Sequence, residues 1–404
     1  MRYTIGQLAE IIDGDRGKNY PKQDEFYPQG YCLFLNTGNV TKEGLTFEEN
    51  QFITKEKDEA LRKGKLKRGD IVYTTRGTVG NAGYYNSNVP YENVRINSGM
   101  VILRANGEIV DARFLYQILK SEYYRPYFKQ YCTGSAQPQL PIKNFSQIYL
   151  NVPDIKTQHR IADILSAYDD LIENNQKQIK LLEEAAQRLY KEWFVDLRFP
   201  GHENTKIVDG VPEGWSKSTV SEVSAVLRRG ISPKYNEKAR GIVINQKCIR
   251  QTIVSYDEAR TQEKKYPAEL EMMESDIVIC STGAGTLGRV GQIFEAKGNA
   301  TLDSHVTLIR ANEKIGQQSL FWSLKMKQDY LMNAGKGSTN QLELSRETIG
   351  SCEILIPERK IAEQVEKNFV AVHNKMKECS MQIARLREVR DLLLPKLMSG
   401  EMEV

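Results

Sequence analysis

Six cysteines are all that 404 residues contain, and no two of them form a C-x-x-C pair. Cys32, Cys132, Cys248, Cys280, Cys352 and Cys379 lie scattered, which argues against a structural zinc site and for free thiols in a reducing, cytoplasmic setting. Histidine is scarcer still. His159, His202, His305 and His373 have no carboxylate or cysteine at metal-ligand spacing, so no metal is expected, and His159 and His373 fall on helical segments where they are expected to face solvent. No apolar run approaches the roughly eighteen residues that mark a membrane span. The opening MRYTIGQLAE carries charge and no apolar core, so it does not read as a secretory signal. G-x-S-x-G, H-E-x-x-H and the phosphate-cradling G-x-x-x-x-G-K-[ST] are missing, as is an Asn- or Asp-Pro-Pro-aromatic motif for amino methylation of a base. A chain this long without a catalytic constellation is expected to bind, not to catalyse, and to hold no cofactor of its own.

What is present is an ordinary globular composition, 40% apolar and 27% charged, with a net charge of only +4. The length exceeds one ordinary core and implies two or three domains. Any polyanion partner must therefore meet a local basic surface.

The chain is written twice. GDIVYTTRGTVGNAG at 69–83 is echoed by SDIVICSTGAGTLGRVG at 275–291, and INSGMVILRAN at 96–106 by LDSHVTLIRAN at 302–312. GSAQPQL at 134–140 is echoed by GSTNQLEL at 337–344, and IYLNVPD at 148–154 by EILIPE at 353–358. Four echoes in the same order at a nearly constant offset indicate a tandem duplication.

The second copy contains Gly283-x-Gly285-x-x-Gly288 after an apolar run, with Asp303 twenty residues on. That is the outline of a dinucleotide fingerprint, but the context rejects it. The first copy keeps only Gly77 and Gly80. The residues after Gly288 carry Gly291, Gly298 and Asn299 and no 3.6-residue apolar period, so no crossover helix can begin there. A strand–turn–strand is expected, with glycines supplying unusual backbone shapes.

Each half ends in a long helix. Residues 158–195 carry neither Gly nor Pro. Ile161, Leu165, Tyr168, Ile172, Asn175, Ile179, Leu182, Ala186, Leu189 and Trp193 are spaced alternately by three and four, as in a heptad seam. Val365, Phe369, Val372, Met376, Cys379, Ile383, Leu386, Arg390 and Leu393 repeat it. Packing of each helix on its own domain is one reading. Pairing of the two is preferred, because a strict seam is narrower than a globular helix needs. Chain order then makes the pair antiparallel. Pro200, Gly201, Gly210, Pro212 and Gly214 mark 199–214 as a connector, and Trp215 opens the second domain as Tyr3 opens the first. The implied segments are 1–153, 154–198, 199–214, 215–356 and 357–404.

Two runs are locally basic: 55–68, with seven basic residues against three acidic, and 227–250, with seven against one. The first reads equally well as a solvated face. The second is interleaved with hydroxyls and amides, the residue types that contact phosphates and base edges. Within it Arg228, Arg229, Lys234 and Lys238 suit phosphate, Tyr235 and Asn236 suit bases, and Ser232 adds a hydroxyl. The matched loops contribute Ser135, Gln137 and Gln139, with Lys143 just beyond, and Lys336, Ser338 and Asn340. The glycine-bearing turns contribute Arg76, Thr78, Thr286 and Arg289. SEYYRPYFKQY at 121–131 mixes aromatics with cations, and helix core is its commoner meaning.

These features resemble the specificity subunit of type I restriction-modification systems over essentially the whole chain. The resemblance is carried by LPIKNFSQIYLNVPDIKTQHRIADIL (140–165), LLEEAAQRLYKEWFVDLRFPG (181–201), GVPEGW (210–215) and LREVRDLLLPKLMSGEMEV (386–404). It implies an α+β architecture: two tandem α/β target recognition domains, related by a pseudo-twofold duplication and separated by a pair of long antiparallel coiled-coil helices. Each domain would read one half of a bipartite, double-stranded DNA target. The helices would set the unread gap and dock two modification subunits, which carry S-adenosylmethionine, and restriction subunits would join that complex. The helix start PERKIAEQVEKNF departs from its counterpart PDIKTQHRIADIL. A coiled-coil scaffold without DNA binding would explain the helices but not the amide-rich basic loops. A nucleotide-dependent enzyme would explain the glycines of one half only.

Overall fold

The computed structural model describes residues 1–134, 137–283, 285–335, 342–399 and 401–402. It divides into two compact units, Met1–Asn174 with Ile383–Val404, and Asn175–Gln382. The division falls inside both long helices, Ile155–Tyr190 and Arg359–Ser399. Each unit thus owns the start of one long helix and the end of the other.

The first unit is built on a four-stranded antiparallel sheet in the order Ala9–Asp13, Met100–Ala105, Ile71–Thr74, Ala82–Tyr84. A second sheet runs Phe52–Ile53, Cys32–Leu35, Val94–Ile96, its last pair parallel. A two-stranded ribbon joins Arg2–Thr4 to Tyr149–Asn151. The second unit repeats this plan. Its four-stranded sheet runs Ser224–Arg229, Val306–Ala311, Ile277–Cys280, Val290–Gln292. Arg260–Gln262, Gly241–Ile244 and Ala300–Leu302 form the second sheet, again with a parallel last pair. Ser216–Thr219 pairs with Glu353–Ile356. The expected duplication is present in these three sheets, while the ribbons Val40–Thr41 with Gly44–Leu45 and Ile207–Val208 with Val211–Pro212 each occur in one unit only.

The central strands read as unbroken apolar runs because both their faces are buried. Ile71, Tyr73, Val101 and Leu103 enter one core, while Val72, Met100 and Ile102 enter another. Ile277 and Ile279 against Val278 and Cys280 do the same in the second unit, as the two-residue side-chain period of a strand requires. The echoed Asp and Arg are structural. Arg104 forks onto Asp70 at 2.9 and 2.8 Å, and Arg310 onto Asp276 at 2.7 Å twice. Each bidentate pair ties two neighbouring central strands.

The glycine-bearing segment is a strand–turn–strand, with Ile277–Cys280 antiparallel to Val290–Gln292 and no crossover helix between them. Gly77, Gly80, Gly283, Gly285 and Gly288 all have φ between +72° and +102°. Asp303 is buried, accepts the backbone N–H of His305 at 2.9 Å, and is pushed above the usual carboxylate range by burial. With a strand–turn–strand in place of a strand–turn–helix, the dinucleotide outline is accidental.

The heptad seam does two jobs. Ile161 and Leu165 at one helix start, with Leu394 and Leu397 at the other helix's end, belong to the first unit's main core. Ala186, Tyr190 and Trp193 join Ile361, Val365 and Phe369 in the second unit's. Within the first unit Arg390 donates to Asp169 at 2.7 Å, so the charged residue in the apolar stripe is a paired one. Lys120 also reaches Asp169, at 3.1 Å. Within the second unit Cys379 meets Gln178 at 3.7 Å. As one partner number rises the other falls, which is antiparallel pairing. The two readings of the seam, domain packing and helix pairing, are therefore both realised.

The two helix starts differ because they perform one task with different residues. In the first unit buried Gln158 accepts the N–H of Asp111 at 2.9 Å, ahead of helix Ala112–Lys120. In the second, Glu366 accepts from the N–H groups of Gln318 and Ser319 at 3.1 and 2.8 Å, inside helix Gln317–Met326. That carboxylate satisfies amides the first turn leaves open.

One expectation fails. His373 does not face solvent: it is 4% exposed, with its ring 4.3 Å from that of Phe294. His159 is exposed, as expected. The connector is held by aromatic packing of Trp215 on Phe194 and Phe199, at 5.5 and 4.7 Å between ring centres. All six cysteines are free, and among the described residues no group of His, Cys, Asp and Glu could hold a metal. No helix of the described residues is long and apolar enough to cross a membrane.

Candidate nucleic-acid interface

In the first unit the glycine-bearing turn and the amide-rich loop are bound into one rim. Arg76 and Gln139 form an isolated antiparallel bridge, and so do Thr133 and Gln139. The N–H of Leu140 donates to Thr75 O at 2.9 Å, which clamps the loop's end to the turn. Arg76, Thr78, Gln137 and Gln139 are all exposed along this rim, and Lys143 is exposed on the next short helix, Ile142–Ser146. A backbone-supported rim with cationic and amide side chains pointing outward suits close approach to a duplex.

The second unit has the same clamp. Thr282 bridges Glu343, and the N–H of Leu344 donates to Ser281 O at 2.9 Å. Here a carboxylate stands where the first unit has Gln139, and Arg229 answers it. Arg229 donates to Glu343 at 2.6 Å and to Leu344 O at 3.1 Å. Its guanidinium is thus turned inward as a brace. Thr286 donates to Thr282 O at 3.1 Å and closes the turn, and Arg289 is half-buried beside it. Ser135, Lys336, Ser338 and Asn340 lie outside the described residues.

Two further cations expected at phosphates are ion-paired. Arg228 pairs with Glu269 and Lys234 with Glu263. Glu263 is held below the usual carboxylate range by hydrogen bonds from Lys234 and Asn236. Asn236 is thereby oriented, and its Oδ1 also accepts the N–H of Lys238 at 3.0 Å. Ser232 and Lys238 are exposed. Tyr235 is exposed at one edge, with the Arg260 guanidinium over its ring. Charge counting missed Arg260, which lies beyond the basic run and is brought to it by strand pairing.

The 55–68 run is structural at Asp58 and Lys65, while Lys55, Arg62, Lys63, Lys67 and Arg68 are exposed. Its acid Asp58 is buried and receives Arg95 and Lys65. Burial alone would raise the Asp58 pKa, but the hydrogen bonds from these cations hold it below the usual carboxylate range. The 121–131 segment is mainly core, with Phe128 buried against Tyr73 and Phe145, although Tyr123 stays exposed.

Among the described residues no group of His, Cys, Asp and Glu on this rim could hold a metal, and Thr282 Oγ1 lies 2.6 Å from His305 Nδ1. Residues 1–184 match the family model described as type I restriction modification DNA specificity domain. The chain is similar to type I restriction specificity subunits over nearly its whole length. It is 27% identical to the type I restriction enzyme HindI specificity subunit of Haemophilus influenzae, over 98% of this chain and 100% of that one. It is 26% identical to the MjaIX specificity subunit of Methanocaldococcus jannaschii, over 86% and 81% of the two. The fold is shared with the crystal structure of a type I restriction-modification S subunit from M. genitalium, with a TM-score of 0.55 at 16% identity, covering 98% and 95% of the two chains.

Proposed function

We propose that this chain is the DNA-reading part of a type I restriction-modification complex, each domain reading one half of a bipartite, asymmetric duplex target. The observation that carries this is the repeated rim: a glycine-bearing turn clamped to the end of the next loop, at Gln139–Leu140 in the first unit and Glu343–Leu344 in the second. Phosphate contacts would fix orientation, and the amide and guanidinium groups would select bases. The two long helices set the number of unread base pairs and carry two modification subunits. Restriction subunits add to that complex in systems that have them. S-adenosylmethionine belongs to the modification subunits, and the complex acts in the cytoplasm.

Sequencing of methylated bases in cells with and without this gene tests the reading. A bipartite motif that disappears with the gene is expected. Identical methylation in both strains would remove the proposal's basis. The purified chain alone should transfer no methyl group to DNA. Transfer without a modification subunit would show chemistry that the reading denies.

A further inference from the structure

The basic run and the strand beside it converge on a feature that neither shows alone. Tyr235 forms an antiparallel bridge with Gln262. Two backbone bonds fasten it, from Asn236 N–H to Thr261 O at 3.2 Å and from Glu263 N–H to Lys234 O at 3.0 Å. Arg260 stands two residues before Gln262 on that strand, a diagonal position from which a long side chain can reach Tyr235. It does so closely: the guanidinium carbon is 3.4 Å from the centre of the tyrosine ring. Tyr235 is 44% exposed and Arg260 is exposed as well.

Three of the neighbouring cations differ from Arg260 in one respect, which Lys238 and Arg240 do not share. Arg228, Arg229 and Lys234 are each engaged by a carboxylate, from Glu269, Glu343 and Glu263. Among the described residues no ion pair engages Arg260. A guanidinium laid on a ring has one flat face covered, while its N–H edge stays open. That edge is a rigid fork of donors. The stack restrains it in advance, so less freedom is lost when both prongs bind. Such a fork matches the O6 and N7 acceptors that guanine presents in the major groove. A phosphate contact has no need of this restraint, since a mobile lysine supplies charge as well.

We propose that Arg260, held in place by the ring of Tyr235, reads a guanine in the half-site contacted by the second domain. The proposal rests on the DNA-reading function above. Arg260 would touch the base, and Tyr235 would act as a positioning residue.

The full chain, purified with its modification subunit, is mixed with a pool of randomised duplexes, and bound sequences are counted. Arg260→Ala should lose its preference at one base pair of one half-site, by about 5- to 150-fold in discrimination. The other half-site should be unchanged, which also reports that the variant is folded. Arg260→Lys keeps the charge and loses the fork, so it should relax the same position while binding almost as tightly overall. Tyr235→Phe retains the platform and should keep the motif, whereas Tyr235→Ser should loosen that one position. An Arg260→Ala complex that selects the wild-type motif with undiminished preference overturns the assignment. So does uniform weakening on all sequences with a salt slope lower by roughly one, which marks a phosphate contact. A wild-type complex that selects no motif overturns the DNA-reading function together with this proposal; a wild-type motif unchanged in the variants overturns this proposal alone.

Discussion

His159 and His373 have the same standing in the sequence, yet only the first meets water. Nδ1 of His373 lies 3.1 Å from Gln292 Oε1, and Nε2 lies 3.4 Å from Ser275 Oγ. Burial pushes its pKa down to about 4; Glu274 works against that shift and Lys377 adds to it. The burial was legible in principle, since 373 lies between Phe369 and Met376 at spacings of four and three. Reading a strict heptad hid it, because a helix that also packs on a domain buries a broader stripe than a coiled-coil seam. The consequence is a pH dependence of the second unit's stability. The unfolded chain takes up a proton near pH 6.5, whereas the folded chain does so only near pH 4. Stability fully present above about 6.5 is therefore lost as pH falls through that window, by about 2 kcal/mol at pH 5. His373→Gln should abolish this part of the acid loss. Urea unfolding at pH 7 and pH 5 measures it, and parallel losses in wild type and variant would show that the imidazole is not responsible.

At the level of elements, patterns that depend on local chain geometry were readable, and those that depend on distant partners were not. The glycine turn was legible as strand–turn–strand because too few apolar residues follow Gly288 to build a helix. Which glycine matters most was not legible. Gly285 and Gly288 have similar φ, +75° and +76°. A Cβ on Gly285 would meet open space, but one on Gly288 would stand 2.4 Å from the backbone nitrogen of Met332. Gly285→Ala should thus cost only the left-handed backbone strain, about 1–2 kcal/mol. Gly288→Ala adds a backbone collision with the end of helix Gln328–Asn333, and should destabilise the second unit clearly more. Hydrogen exchange of amides in Ile277–Cys280 and Val290–Gln292 would report the difference, and equal effects would contradict the close approach. The basic run shows the opposite limit. Glu263, Glu269 and Glu343 reach Lys234, Arg228 and Arg229 only because the fold brings them there. Counting charge within a window cannot reveal that these cations already have partners.

For the whole chain, the duplication was the most legible feature, because the echoes at 69–83 and 275–291 and at 96–106 and 302–312 are strands and turns with the same strand partners in both units. Ile71 to Ile277 and Met100 to Val306 are both separated by 206 residues, and the paired strands match. Less legible was that the compact units cut across the helices, each unit taking the start of one and the end of the other. That exchange follows from antiparallel pairing and suggests how to test the helices as the element setting the unread gap. Seven residues inserted after Asn174 and seven after Gln382, at opposed points of the pair, preserve the seam on both sides. The Asp169–Arg390 and Gln178–Cys379 pairings would each remain intact. Seven residues lengthen each helix by about 10 Å at 1.5 Å per residue. At roughly 3.4 Å per base pair this is about three more unread base pairs. The two half-sites should keep their sequences, since no rim residue changes. Rotation about the duplex accompanies the longer gap, so reduced binding is the other expected expression of a helix-set spacing. Insertion into one helix alone leaves unequal partners and should impair the complex more than the double insertion. The measurement is the motif methylated by the complex carrying the lengthened chain. An unchanged gap at full activity would mean that something other than these helices sets it.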